Sequence, residues 1–249
     1  MKTYIKSTLI AGALASLILT GCNKAKDVLP DDNKTSSSST SINMSDGYGV
    51  LAAVRSVSYT TVSGVTVPLE VNTAVAAFNV SMGSSTFTDA GGVTLNGKSL
   101  TKSTNNAYVY QDLTNPLTFN TVTWNVAGSS SVPSFSYTDD RPIPDYSAFN
   151  SLPTTVTRSA GVTISLGSAV TNADSVYVTL TDYNNHSLLK RVGGSAAGCT
   201  FSASELAGFA AGQGMVQVCP WNYKTEDFND KKFYFIIESA FTKQGITIN

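Results

Sequence analysis

From about residue 45 onward, apolar and polar residues alternate with a period of two, the repeat of a strand with one buried face. Val122-Thr123-Trp124-Asn125-Val126 sends its apolar side chains one way and its polar ones the other. Val176-Tyr177-Val178-Thr179-Leu180 does the same, and Asn184-Asn185 offers a turn before Leu188-Leu189-Lys190-Arg191-Val192. Val93 and Leu95 share a face ahead of Asn96-Gly97, after which Lys98-Ser99-Leu100 returns. Asn-Gly between two such runs predicts a type I′ hairpin, because both residues tolerate positive φ. Phe233-Tyr234-Phe235-Ile236-Ile237 is apolar at every position and predicts a central strand buried on both faces.

One segment reads as helix. Ser202-Ala203-Ser204-Glu205 fits a capping box, with Ser202 as N-cap and Glu205 at the third helical position. Leu206, Phe209 and Ala210 follow as a short apolar face that Gly212 ends.

Composition sharpens this to a fold class. The chain is rich in Val, Thr, Ser, Tyr and Phe and carries only 13 % charged residues, so long helices have little to build on and an all-β protein follows. Roughly 200 globular residues suit two tandem antiparallel β-sandwiches of about 100 each, the alternative being one large β domain of that size. Pro142 and Pro144 remove backbone donors and fix φ, so no ladder continues through residues 139–146. The expected units are therefore a sandwich at 45–138, a linker at 139–146 and a second sandwich at 147–249. The second resembles immunoglobulin-like and fibronectin-III-like domains in strand spacing alone. It lacks the Cys…Trp…Cys pattern of a true immunoglobulin domain, since Cys199 and Cys219 have no tryptophan between them.

The amino terminus has a different logic. Lys2 and Lys6 precede an apolar stretch from Thr8 to Thr20, about 13 residues and short of the roughly 20 that span a bilayer. It closes with Leu19-Thr20-Gly21-Cys22, which resembles the lipobox of bacterial lipoproteins. That resemblance implies removal of residues 1–21 and lipid on Cys22, and with two or three chains the anchoring is stable. Residues 22–44, with the run Thr35-Ser36-Ser37-Ser38-Ser39-Thr40-Ser41, have too little apolar surface to offset their ordering entropy and read as a disordered tether reaching roughly 25–30 Å. Asn23 is unlike the aspartate that retains lipoproteins in the inner membrane, so the outer membrane is the expected location.

Charge and side-chain inventory narrow the chemistry. The chain has 16 basic and 17 acidic side chains with no basic footprint, which argues against nucleic acid as a partner. It has one histidine, His186, beside a predicted turn, so a histidine-based triad has no visible partner set, and zinc or redox-metal sites lack ligands. Glu226, Asp227, Asn229 and Asp230 cluster without the spacing of a calcium loop. Gly193-Gly194-Ser195-Ala196-Ala197 lacks the last glycine of a nucleophile elbow, and no phosphate-binding glycine loop occurs. The mature chain has Glu70, Glu205, Glu226 and Glu238, among which no catalytic pair stands out. The reading is of a protein without cofactor and without enzymatic activity, the alternative being a carboxylate-dependent hydrolase acting on glycans.

Two features stay open. Cys199 and Cys219 either form a disulfide, which would constrain the unfolded chain by about 3 kcal/mol, or remain buried thiols on separate strands. Trp221-Asn222-Tyr223, placed after Pro220 at a strand end, either offers aromatic faces and an amide to a sugar or protein partner, or fills the end of the sandwich. The functional expectation is an envelope lipoprotein that binds or displays, its partner an unknown envelope protein or glycan.

Overall fold

The structure is a computed structural model that describes residues 46–62 and 65–249. The leader, Cys22 and the tether lie outside the described residues. The described chain is all-β, as its alternation predicts. Strands β1 (Gly49–Val62) and β2 (Val65–Phe78) form a long hairpin. They are followed by β3 (Val93–Leu95), β4 (Lys98–Ser99), β5 (Thr101–Lys102), β6 (Tyr108–Tyr110), β7 (Val122–Val126) and β8 (Phe135–Asp139). The second half holds β9 (Asp145–Tyr146), β10 (Thr155–Val156), β11 (Val162–Ser165), β12 (Val170–Thr171), β13 (Ser175–Asp182), β14 (Ser187–Gly193) and β15 (Gly198–Phe201). A one-turn helix α1 (Ala203–Leu206) precedes β16 (Gly212–Phe228) and β17 (Lys231–Ile248).

Local chemistry accounts for the connections. Asn96 and Gly97 sit at φ 48° and 77° between paired Leu95 and Lys98, the expected I′ geometry. Asn229 and Asp230, at φ 49° and 58°, close β16 onto β17 in the same way. Ser202 accepts from the Glu205 N–H while the Glu205 carboxylate accepts from the Ser202 N–H, so the capping box forms. The helix stops at Leu206, one turn long, with Leu206 and Phe209 buried beneath it.

The two-sandwich expectation needs revision at the level of connectivity. A nine-stranded sheet runs β14-β13-β16-β17-β1-β2-β6-β5, with β10 added on β17. Strand β1 lies parallel to β17 from Gly49↔Phe233 to Ser58↔Thr242, so the first strands of the chain pair with the last. The reason lies in strand length. Strand β16 has 17 residues and β17 has 18, roughly 55–60 Å at about 3.3 Å per residue, some three times a common strand. Such strands cross both halves, and the boundary at 139–146 divides two cores on a shared sheet.

Both cores lie on one face of that sheet, here the front. Along β17 the odd positions Phe233, Phe235 and Ile237 enter the first core, and Phe241 enters the second. The first core is roofed by the four-stranded sheet β4-β3-β7-β8, which contributes Val93, Leu95, Val122, Trp124 and Phe135. The second is roofed by the pairs β11-β15 and β12-β9 with α1, through Ile164, Phe201, Tyr146 and Leu206. Near the carboxyl end the register shifts between Gly214 and Met215, leaving Gly245 as an extra residue at φ 73°. That bulge flips the alternation, so that Ile246 and Ile248 also turn to the front.

A polar row separates the cores, and residues 139–146 cross over it. Arg55 donates to Ser239 Oγ at 3.0 Å, to the Pro144 carbonyl at 3.0 Å and to Asp145 Oδ1 at 2.6 Å. Asp139, 1 % exposed, is clasped by Arg141 through Nε and Nη2. Burial alone would raise the Asp139 carboxyl, but hydrogen bonds and charge from Arg141 hold it below the usual carboxylate range. The segment read as a linker is thus fastened by buried charge.

Candidate functional site

The opposite, back face of the sheet follows from register alone. Cross-strand partners share a face, and so do alternate residues of one strand. Ala52 and Val54 of β1, Ile236 of β17 and Trp221 of β16 form a third apolar cluster, with Val50, Tyr177 and Tyr223 packed against it. Every member belongs to the sheet itself. Among the described residues no roofing strand or helix contributes to this cluster, in contrast to the two front cores.

Four aromatic side chains run in a row across this face. Tyr177 stacks on Trp221 with centroids 5.3 Å apart and planes 7° from parallel. Trp221 stacks on Tyr223 at 5.8 Å, and Tyr223 on Tyr234 at 6.2 Å. At the far end of the row, Asp46 accepts hydrogen bonds from Tyr234 Oη and, at 2.6 Å, from Lys232 Nζ. Asp46, the first described residue, therefore lies beside this face.

Glu238 is embedded in the same surface as the cross-strand partner of Trp221 and of Val54. It is 3 % exposed, and burial pushes its carboxyl up to about 7. Its Oε1 and the Trp221 Nε1 are both buried without a hydrogen-bond partner. Such orphans cost roughly 1–3 kcal/mol each, so two neighbours on one face call for an explanation. Deeper along β16, Cys219 is buried, and burial pushes its thiol well up. Gln217 Nε2 donates to Thr242 Oγ1 at 2.8 Å, which satisfies that amide nitrogen.

The sequence placed Trp221-Asn222-Tyr223 at a strand end as a single patch, and the structure corrects this. All three lie inside β16, so alternation puts Trp221 and Tyr223 on the back face and Asn222 on the front. Asn222 donates instead to the Asn172 carbonyl at 2.9 Å, beside the polar row between the cores. Cys199 and Cys219 are both buried free thiols. Cys199 belongs to the second front core while Cys219 projects from the back, so the sheet lies between them and the allowed disulfide is not formed.

The other chemistry-bearing residues have structural partners. His186 Nδ1 lies 3.2 Å from the Gly208 carbonyl, with its ring 4.8 Å from that of Phe209. Asp182 accepts from the backbone N–H groups of Asn184, His186 and Ala210; burial opposes its ionisation, but these bonds hold the carboxyl below the ordinary range. Glu205 caps α1 and pairs with Lys190 at 2.7 Å, and Glu70 accepts from Asn72. Glu226 and Asp227 are consecutive strand residues of β16 that point to opposite faces, ahead of the Asn229-Asp230 turn. The Gly193–Ala197 segment is a fastened connection: Gly194 donates to the Asp174 carbonyl at 2.9 Å, and a Cβ there would meet the Ala173 oxygen at 1.9 Å. A shallow depression bordered by Thr94, Asn125 and Ser134 has no ionisable side chain in its wall.

Tyr177, Tyr234 and Glu238 went unread as a group in the sequence. Glu238 had a visible signal, a lone acid directly after the apolar run of β17 and before Ser239-Ala240-Phe241. Its neighbours had none, because their assembly depends on strand pairings distant in the chain. No protein-family model matches this chain, and no curated protein is similar to it.

Proposed function

We propose that the protein is a non-catalytic lipoprotein of a bacterial envelope, anchored in the outer membrane by lipid on Cys22, whose exported β-fold binds or displays through the back face of its long sheet. The observation that carries this reading is the third apolar cluster, formed among the described residues by the strands of one sheet and set with aromatic rings and two orphan polar atoms. Sheets usually bury such a face against another layer, and among the described residues none supplies that layer, a role that suits a partner. In the same reading each half is a sandwich-like unit, the second immunoglobulin-like, the two fused through shared strands. Of the carboxylates a hydrolase would need, Asp139 and Asp145 are held in ion pairs, Asp182 by backbone bonds and Glu205 by its cap and Lys190, while Glu238 lies apart on the back face.

Two measurements test the reading separately. Labelled palmitate should enter the native chain and fail to enter Cys22→Ser; label retained in the variant removes the anchor. The full chain, extracted with its lipid, should be retained by an immobilised envelope glycan or protein, and Tyr177→Ala with Tyr223→Ala should abolish retention. Equal retention of that variant removes the back face from the account.

A further inference from the structure

We infer that the Trp221–Glu238 pair is the polar centre of a saccharide-binding subsite, the two groups together holding one sugar hydroxyl. The inference rests on the binding role proposed above and names the chemistry of its ligand.

Trp221 and Glu238 are direct cross-strand partners, which places their Cα atoms about 5 Å apart with both side chains on the back face. Each is 3 % exposed, and each carries a polar atom with no protein partner, Nε1 on the indole and Oε1 on the carboxyl. The indole nitrogen can only donate, and the carboxylate oxygen accepts. One group satisfies both from a single atom: a hydroxyl, whose oxygen accepts from Nε1–H while its proton goes to Oε1.

Other ligand chemistries fit less well. An ammonium would suit the carboxylate and the rings, but it has no lone pair and leaves Nε1 orphaned. A peptide bond carries both functions, but its trans geometry points N–H and C=O in opposite directions, so one wall can engage only one of them. A sugar presents hydroxyls on a ring whose C–H groups pack against aromatic surface. Half-buried Tyr177 and Tyr223 flank Trp221 on either side to supply that surface. Arg191, registered opposite Tyr177 on β14, sits at the border where further hydroxyls would lie.

The test uses the full lipid-bearing chain in detergent, titrated calorimetrically with maltohexaose, cellohexaose and chitohexaose. At least one should bind, with a change in tryptophan emission. Trp221→Phe keeps a ring and removes the donor, and should weaken binding about tenfold. Glu238→Leu should weaken it at least as much. Glu238→Gln keeps an acceptor and should stay within about threefold of the native chain, which separates loss of the hydroxyl contact from loss of the fold. No binding of any of the three at millimolar concentration overturns the inference. So does a Trp221→Phe variant that binds as tightly as the native chain. If the sugars fail while a protein partner is held through Tyr177 and Tyr223, the saccharide is overturned and the binding role stands.

Discussion

Trp124 and Trp221 are the two tryptophans of this chain, and they show how differently the two sides of one sheet are built. Trp124 is 0 % exposed in β7, inside a core closed between two sheets. Trp221 is 3 % exposed in β16, yet among the described residues its cluster draws only on the strands of its own sheet. Both lack a partner for Nε1. In the front core that orphan is outweighed by packing on every side. On the back it neighbours a second orphan and a row of rings, an arrangement that packing alone does not require. Burial by itself therefore does not separate a structural tryptophan from one proposed for recognition; the proposal for Trp221 rests on the origin of the surrounding side chains.

The strongest way to break this contrast is truncation of both rings. Trp124→Ala should cost about 3–5 kcal/mol through the cavity it leaves between two layers, whereas Trp221→Ala should cost about 1–2 kcal/mol. Chemical denaturation of both variants reads the difference, and equal losses would show that the back face is a core like the others. Next in size is the belt between the cores. Arg141→Met leaves the Asp139 carboxylate buried without its partner, an expected loss of about 3 kcal/mol by the same measurement.

Glu238 gives the back face a pH signature. Its carboxyl is raised by burial from 4.5 to about 7, so the folded state binds the proton more tightly than the unfolded one. Its contribution is complete below about pH 4.5 and is lost as pH rises through about 7, a change of up to about 3 kcal/mol. Tyr177 and Cys219, titratable groups on the same face, are pushed upward by burial and titrate above that window. Melting curves across the window should slope downward in the native chain, and the Glu238 part of that slope should vanish in Glu238→Gln. The smallest expected effect is local: Ser202→Ala removes one cap of a single turn, about 1 kcal/mol, and should leave the back face and its ligand affinity untouched.

These contrasts also explain which parts of the molecule were legible in the sequence. Period-two alternation located β7 and β13, Asn96-Gly97 placed a hairpin, and Ser202 with Glu205 placed the helix, because each signal is contained in a few consecutive residues. The sharing of one sheet by both halves was not legible. The β1–β17 pairing joins residues about 180 positions apart, and nothing in either strand names its partner. The two prolines at 142 and 144 were correctly read as ending a ladder, but a broken ladder does not imply a free linker, and here Arg55 and Arg141 fasten it. The same limit governed the site. Trp221 and Tyr223 were singled out by residue type, and their separation from Asn222 follows once they are placed in a strand. Their meeting with Tyr177 and Glu238 needed the register.

The central claim is that the back face of the long sheet is where this protein meets its ligand or partner. Photo-crosslinking in intact cells tests it most directly, with p-benzoylphenylalanine replacing Tyr223 on the back in one strain and exposed Ser136 of β8 in another. Adducts from position 223, absent from position 136 and suppressed by Glu238→Leu, are the predicted result. Adducts from position 136 alone, or equally from both, would contradict the account.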